Sequence, residues 1–180
     1  MTKVKWFAAA LGMAMLAAGG APAQTKEDVK RCTGADPDAA IAACTVLLKS
    51  GIGGPDEKAD FYYFRGFAID KKATDEGSIA GHFVALLDFN EAIKLKPNDA
   101  EYRFWRGLAE LAVAKYEEAL ADADTAIKIK PSYSPPYNLR GAAHARLGQN
   151  DLARADYKQA LKLRPDDAIA RKGLTELPAK

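Results

Sequence analysis

Few side chains in this 180-residue chain could carry chemistry, and each group is tested by its spacing. Cys32 and Cys44 are the two cysteines, and the eleven residues between them are too many for the Cys-x-x-Cys arrangement of a redox catalyst. His82 and His144 each lack a second histidine or a carboxylate at ligand spacing, and no His-Glu-x-x-His run or Cys-His cluster occurs, so no metal site is expected. Gly51, Gly53 and Gly54 precede Pro55 in a connector instead of following a strand and opening a helix, which argues against a phosphate cradle. Ser132 and Ser134 flank Tyr133 without the strand-turn-helix setting of a nucleophile. The reading is of a protein that is not an enzyme and uses no cofactor.

Three Arg-Gly dipeptides remain, at Arg65, Arg106 and Arg140, each followed by an aspartate: Asp88, Asp122 and Asp156. A row of arginines could bind anions. Recurrence at a fixed interval points instead to structural ion pairs, Arg65 with Asp88, Arg106 with Asp122 and Arg140 with Asp156.

Composition narrows the partners. Lys and Arg number 26 against 24 Asp and Glu, and the excess of two is Lys3 and Lys5, so the rest of the chain is neutral. Such a chain lacks the positive field that draws proteins to nucleic acid or to anionic membranes. Lys3 and Lys5 open an uncharged run from Trp6 to Gly20 that ends in Ala21-Pro22-Ala23, the layout of a cleaved signal peptide over residues 1–23. That run is shorter than a membrane-spanning helix, so no stable membrane insertion is expected after cleavage. The expected location is exported, periplasmic or secreted, with a Gram-negative envelope as the setting. In such a compartment Cys32 and Cys44 form a disulfide, and the loop they close is worth about 3 kcal/mol.

The elements that position these residues follow from a 34-residue period. Shifting the chain by 34 superimposes Gly107 on Gly141, Ala119 on Ala153, Ala126 on Ala160 and Pro131 on Pro165. Each unit reads as a helix, a break and a second helix. An earlier unit carries Gly66, Ala85, Ala92 and Pro97 with seven extra residues, which fall in the polar stretch Asp70–Gly81 and predict a longer turn there. One further step back places Cys32 and Cys44 at the two small-residue sites where paired helices approach. Asp36-Pro37-Asp38 and Pro165-Asp166-Asp167 read as helix starts.

This pattern resembles the tetratricopeptide repeat, on Gly66, Gly107 and Gly141, the alanine pairs, Phe89 and Tyr157, and the closing prolines. Departures are Arg65, Arg106 and Arg140 where Leu is commoner, Arg103 for an aromatic, and Ala123 for the second-helix aromatic. The resemblance implies an all-α, right-handed solenoid in one domain, residues 24–180. Its units are residues 25–58, degenerate and disulfide-stapled, 59–99 with the insertion, 100–133 and 134–167, with a capping helix in 168–180.

In such repeats the first helices line a concave groove, here Tyr63, Phe64, Phe67, Phe104, Trp105, Leu108 and Asn138. Aromatic side chains there suit a peptide or helix of another protein, but some of the rings could equally pack between repeats. Family members that grip a C-terminal carboxylate use Lys, Arg and Asn, and most matching positions here are apolar. The expected function is an adaptor of the bacterial cell envelope, with self-association or assembly with envelope machinery through a docking loop at residues 70–81 as a further expectation. The alternatives are a glycan or muropeptide binder and an accessory subunit of an envelope enzyme.

Overall fold

The structure, a computed structural model, describes residues 22–178. The signal-peptide expectation thus lies outside the described residues, except for Pro22 and Ala23. Among the described residues the chain forms nine α-helices and no strand. They are α1 (Pro22–Cys32), α2 (Pro37–Ser50), α3 (Pro55–Glu76), α4 (Ile79–Leu95), α5 (Ala100–Ala112), α6 (Tyr116–Ile129), α7 (Pro135–Arg146), α8 (Asn150–Leu163) and α9 (Ala168–Glu176). Successive helices pair as helix-turn-helix repeats, which places the chain in the all-α solenoid class. Where the sequence suggests one domain, the chain divides into two compact units, one up to Pro97 and one from Asn98.

The first unit holds α1 to α4. Asp36 starts α2, its carboxylate accepting a hydrogen bond from the Ala39 amide at 3.1 Å, and Pro37 takes the first helical position, where a missing N–H costs nothing. Cys32 and Cys44 are joined by a disulfide between α1 and α2, with sulfurs 2.07 Å apart. Around it Val29, Ala43, Leu47 and Phe61 form a core, with Phe64 packed against it.

The seven extra residues do not lengthen the turn. Relative to Gly66 and Ala85, α3 runs five residues further at its end and α4 starts three residues earlier than α5 and α6 do about Gly107 and Ala119, while the turn shrinks from three residues to Gly77-Ser78. Both helices of the hairpin are thereby extended by roughly one turn each. Polarity suggested a loop, but Lys71, Asp75 and Glu76 occupy the exposed side of a helix whose inner side holds Ala73. Gly77 (φ 66°) closes α3, and the Ser78 hydroxyl accepts from the Gly81 amide at 3.2 Å to open α4.

The second unit holds α5 to α9. Ala119, Ala126, Ala153 and Ala160 are fully buried, and Gly107 lets the helices close: a Cβ there would stand 2.6 Å from Leu139 Cδ2. The last helix is capped by Asp167, whose carboxylate accepts from the Ile169 and Ala170 amides at 3.0 and 3.1 Å. It buries Ala170 against a cluster of Tyr137, Ala153, Tyr157 and Ala160.

Candidate functional site

The arginine–aspartate pairs expected from the sequence are all in place. Arg65 donates Nε and Nη2 to Asp88 at 2.7 Å each, and Arg106 donates the same atoms to Asp122 at 2.6 and 2.7 Å. Arg140 Nη2 meets Asp156 at 2.6 Å. Each pair joins the first and second helix of one repeat, and the three carboxylates are buried. Two of the three use their third nitrogen as well: Arg65 Nη1 reaches Thr45 Oγ1 at 3.2 Å and Arg140 Nη1 reaches Asp124 at 2.6 Å. Hydrogen bonding to Asp88 raises the Arg65 pKa, and Asp156 does the same for Arg140. These guanidinium groups are spent on carboxylates, so they form no anion-binding row.

The expected groove residues divide. Tyr63 is buried, its ring 6.4 Å from Phe89 on α4, and serves the core. Phe64 faces the disulfide core, whereas Phe104 and Leu108 pack on Ala119, Ala123, Leu139 and Ala143. Asn138 is turned inward: buried, it donates Nδ2 to the Asp167 carboxylate at 2.9 Å. Tyr63 and Asn138 are therefore corrections to the groove expectation. Sequence periodicity places a residue on the first-helix face without saying that a neighbouring helix covers it.

Phe67 and Trp105 remain half-buried on α3 and α5. In the second unit Phe104 lies edge-on to Trp105 at 5.3 Å and to Tyr133 at 5.8 Å, and the Lys130 ammonium sits 5.4 Å from the Tyr133 ring centre. The sequence assigns Tyr133 no place in the groove. Its position at the end of one unit, beside the first helix of that unit, brings it into the ring cluster, and burial raises its phenol pKa.

Three further titratable groups, His82, Asp70 and Glu110, are buried in surroundings that sequence spacing does not show. His82 Nδ1 lies 2.7 Å from Asp70 Oδ1, both buried inside the extended hairpin. Twelve residues of chain fold back to pair Asp70 with His82. Burial raises the Asp70 carboxyl pKa, and the His82 hydrogen bond opposes the rise. Glu110 stands three residues after Gly107, where the repeat pattern carries Tyr. It is buried with Oε2 lacking a hydrogen-bond partner, and burial together with Asp122 pushes its carboxyl up to about 7 despite Arg106. His144 contacts Gln149 at 2.6 Å. No group of three metal-binding side chains occurs among the described residues.

Comparison with known proteins agrees with this geometry. Tetratricopeptide repeat models match residues 84–134 and 135–167. Residues 84–167 therefore carry tetratricopeptide repeats. Among solved structures, the second such domain of human RPAP3, determined in complex with the HSP70 peptide SGPTIEEVD, is 29% identical, with a TM-score of 0.60 over 71% of this chain and 100% of that one. The Arabidopsis OM64 domain is 26% identical, with a TM-score of 0.60 over 68% and 95% of the two chains. YrrB, described as having an unusual peptide-binding site, is similar in fold at 19% identity, with a TM-score of 0.64 over 77% and 66%. No curated protein sequence matches the chain.

Proposed function

We propose that this protein is an interaction module that holds an apolar segment of a partner protein against the aromatic faces of its first helices. The observation that carries the reading is the ring cluster of Phe104, Trp105 and Tyr133, half-buried on one side of the second unit. Three neighbouring rings offer a large apolar area with few rotatable bonds to order, the property that makes aromatic residues binding anchors. Phe67 offers a second anchor on the first unit. The peptide held by the human RPAP3 domain supports the class of ligand.

The mode of recognition differs from capture of an acidic tail such as the end of that peptide. Asn138, the clearest groove residue of the carboxylate-gripping kind, is committed to Asp167, and Arg106 and Arg140 are committed to their aspartates. The partner segment is thus internal and apolar. The bacterial cell envelope is the proposed setting, supported by the signal-like residues 1–23 and by the Cys32–Cys44 pair.

Selection of random displayed peptides against residues 24–180 tests this. The expected winners are rich in Leu, Ile, Phe and Trp and lose binding to a Phe67→Ala/Trp105→Ala variant. Winners that share a C-terminal acidic tail, or that bind the variant equally well, would contradict the reading.

A further inference from the structure

The outer side of α4 departs from what a solvent-facing helix carries. Ile79, Phe83, Val84 and Leu87 are 63%, 46%, 49% and 66% exposed. Ile79, Phe83 and Leu87 recur every four residues and line one stripe, with Ala80 and Val84 exposed beside it. The inner side of the same helix buries Ala85, Phe89 and Ala92 completely. A helix apolar on both sides is one that is covered on both sides.

The repeats supply an internal control. One period later, the positions of Phe83, Val84 and Leu87 are Glu117, Glu118 and Ala121, and two periods later Asp151, Leu152 and Ala155. Leu152, 53% exposed, is the one large apolar residue among the six, whereas the positions of Phe83 and Leu87 carry only acidic residues and alanine elsewhere in the same fold. The stripe belongs to the repeat with the insertion, and Ile79 lies in the part of α4 that the insertion adds.

We propose that the stripe is a self-association surface, on which α4 of a second copy lies antiparallel. The spacing is symmetric about Phe83: a two-fold axis through it sets Ile79 of one copy against Leu87 of the other, an arrangement that closes on itself. Charge favours the same direction. Exposed Asp75 and Glu76 end α3 beside the start of α4, and the exposed Lys94 lies near the end of α4. An antiparallel pair brings Lys94 of each copy toward the acidic tip of the other, whereas a parallel pair sets like on like. Glu91 stays with Lys94 at 3.4 Å. Residues 22–180 carry no net charge, so no general repulsion opposes pairing.

The size of the patch sets the strength. Four exposed side chains offer roughly 400 Å² per copy, about half of what a standard stable interface buries on each partner. The dimer is accordingly weak, with a dissociation constant on the order of 10–100 µM. It is separate from the peptide-binding faces, because the residues on α3 and α5 proposed for that role take no part.

Sedimentation equilibrium of residues 24–180 across that concentration range tests the inference. The expected result is a monomer–dimer equilibrium that a Leu87→Glu variant shifts at least tenfold toward monomer, with unchanged helical circular dichroism and thermal midpoint. Lys94→Glu should weaken the dimer several-fold, and adding Asp75→Lys and Glu76→Lys should restore it. Phe67→Ala/Trp105→Ala should leave it unaltered, which separates this result from the fate of the peptide-binding proposal. A natural chain that stays monomeric throughout, or a dimer undiminished by Leu87→Glu, would overturn it.

Discussion

Ala114 and Gly148 lie one period apart, each in the turn between two paired helices, and both take left-handed backbone angles, φ 60° and 73°. Glycine adopts that conformation freely, whereas a Cβ costs about 1 kcal/mol there. Ala114→Gly is therefore expected to stabilise the chain by up to about 1 kcal/mol, less the greater freedom that glycine gives the unfolded state. Gly148→Ala is expected to destabilise it by a similar amount. Urea unfolding of both variants checks the pair, and the opposite signs distinguish backbone strain from packing.

The ion pairs of the repeats are expected to behave as units. Asp122→Ala leaves the Arg106 guanidinium half-buried without its carboxylate and should cost about 3 kcal/mol. Replacing both partners, as in Arg106→Leu/Asp122→Ala, should recover part of that loss, because Leu is the commoner residue at this position of the repeat and removes the Arg106 charge, although Arg103, 3.3 Å from Asp122, still loses its carboxylate. A double-mutant cycle followed by thermal unfolding gives the coupling between the two.

Glu110 predicts a pH dependence. Its carboxyl is pushed up to about 7 in the folded chain, so between the ordinary carboxylate range and about pH 7 the folded state holds a proton that the unfolded state has released. Its contribution therefore favours folding at low pH, diminishes as pH rises through that window, and is flat above it. Glu110→Gln should raise the thermal midpoint at pH 8, by on the order of 2 kcal/mol in stability, and change it little near pH 4. Equal effects at both values would contradict this origin.

Reduction of the Cys32–Cys44 bond is expected to act locally. The loop it closes is short, so a Cys32→Ala/Cys44→Ala variant should lose about 3 kcal/mol. Hydrogen exchange should place the loss in α1 and α2, leaving α5 to α9 protected as before. Thiol labelling of the protein made in an oxidising compartment, denatured but unreduced, should find no free cysteine.

Much of the fold is legible in the sequence because small residues mark where helices touch. Gly66, Gly107 and Gly141 and the buried alanines recur at the spacing of the closest helix approaches, and the Arg–Asp pairs recur with them. The inserted hairpin has the sequence of a loop because Lys71, Lys72 and Gly77 look like turn residues, and only the packed inner face at Ala73 reveals a helix. The binding face was legible only in part. Whether a first-helix residue such as Asn138 or Tyr63 faces a partner or a neighbouring helix depends on contacts thirty residues away, which one-dimensional spacing does not encode. Glu110 and the Asp70–His82 pair were hidden for the same reason, since charged residues in a helical pattern read as solvated until the fold buries them.

Capture of partners from cell extract by the tagged protein tests the central claim most directly, run beside the Phe67→Ala/Trp105→Ala variant shown to be folded. The account predicts a partner retained by the natural chain and lost from the variant. A partner held equally by both, or none held by either, would contradict it.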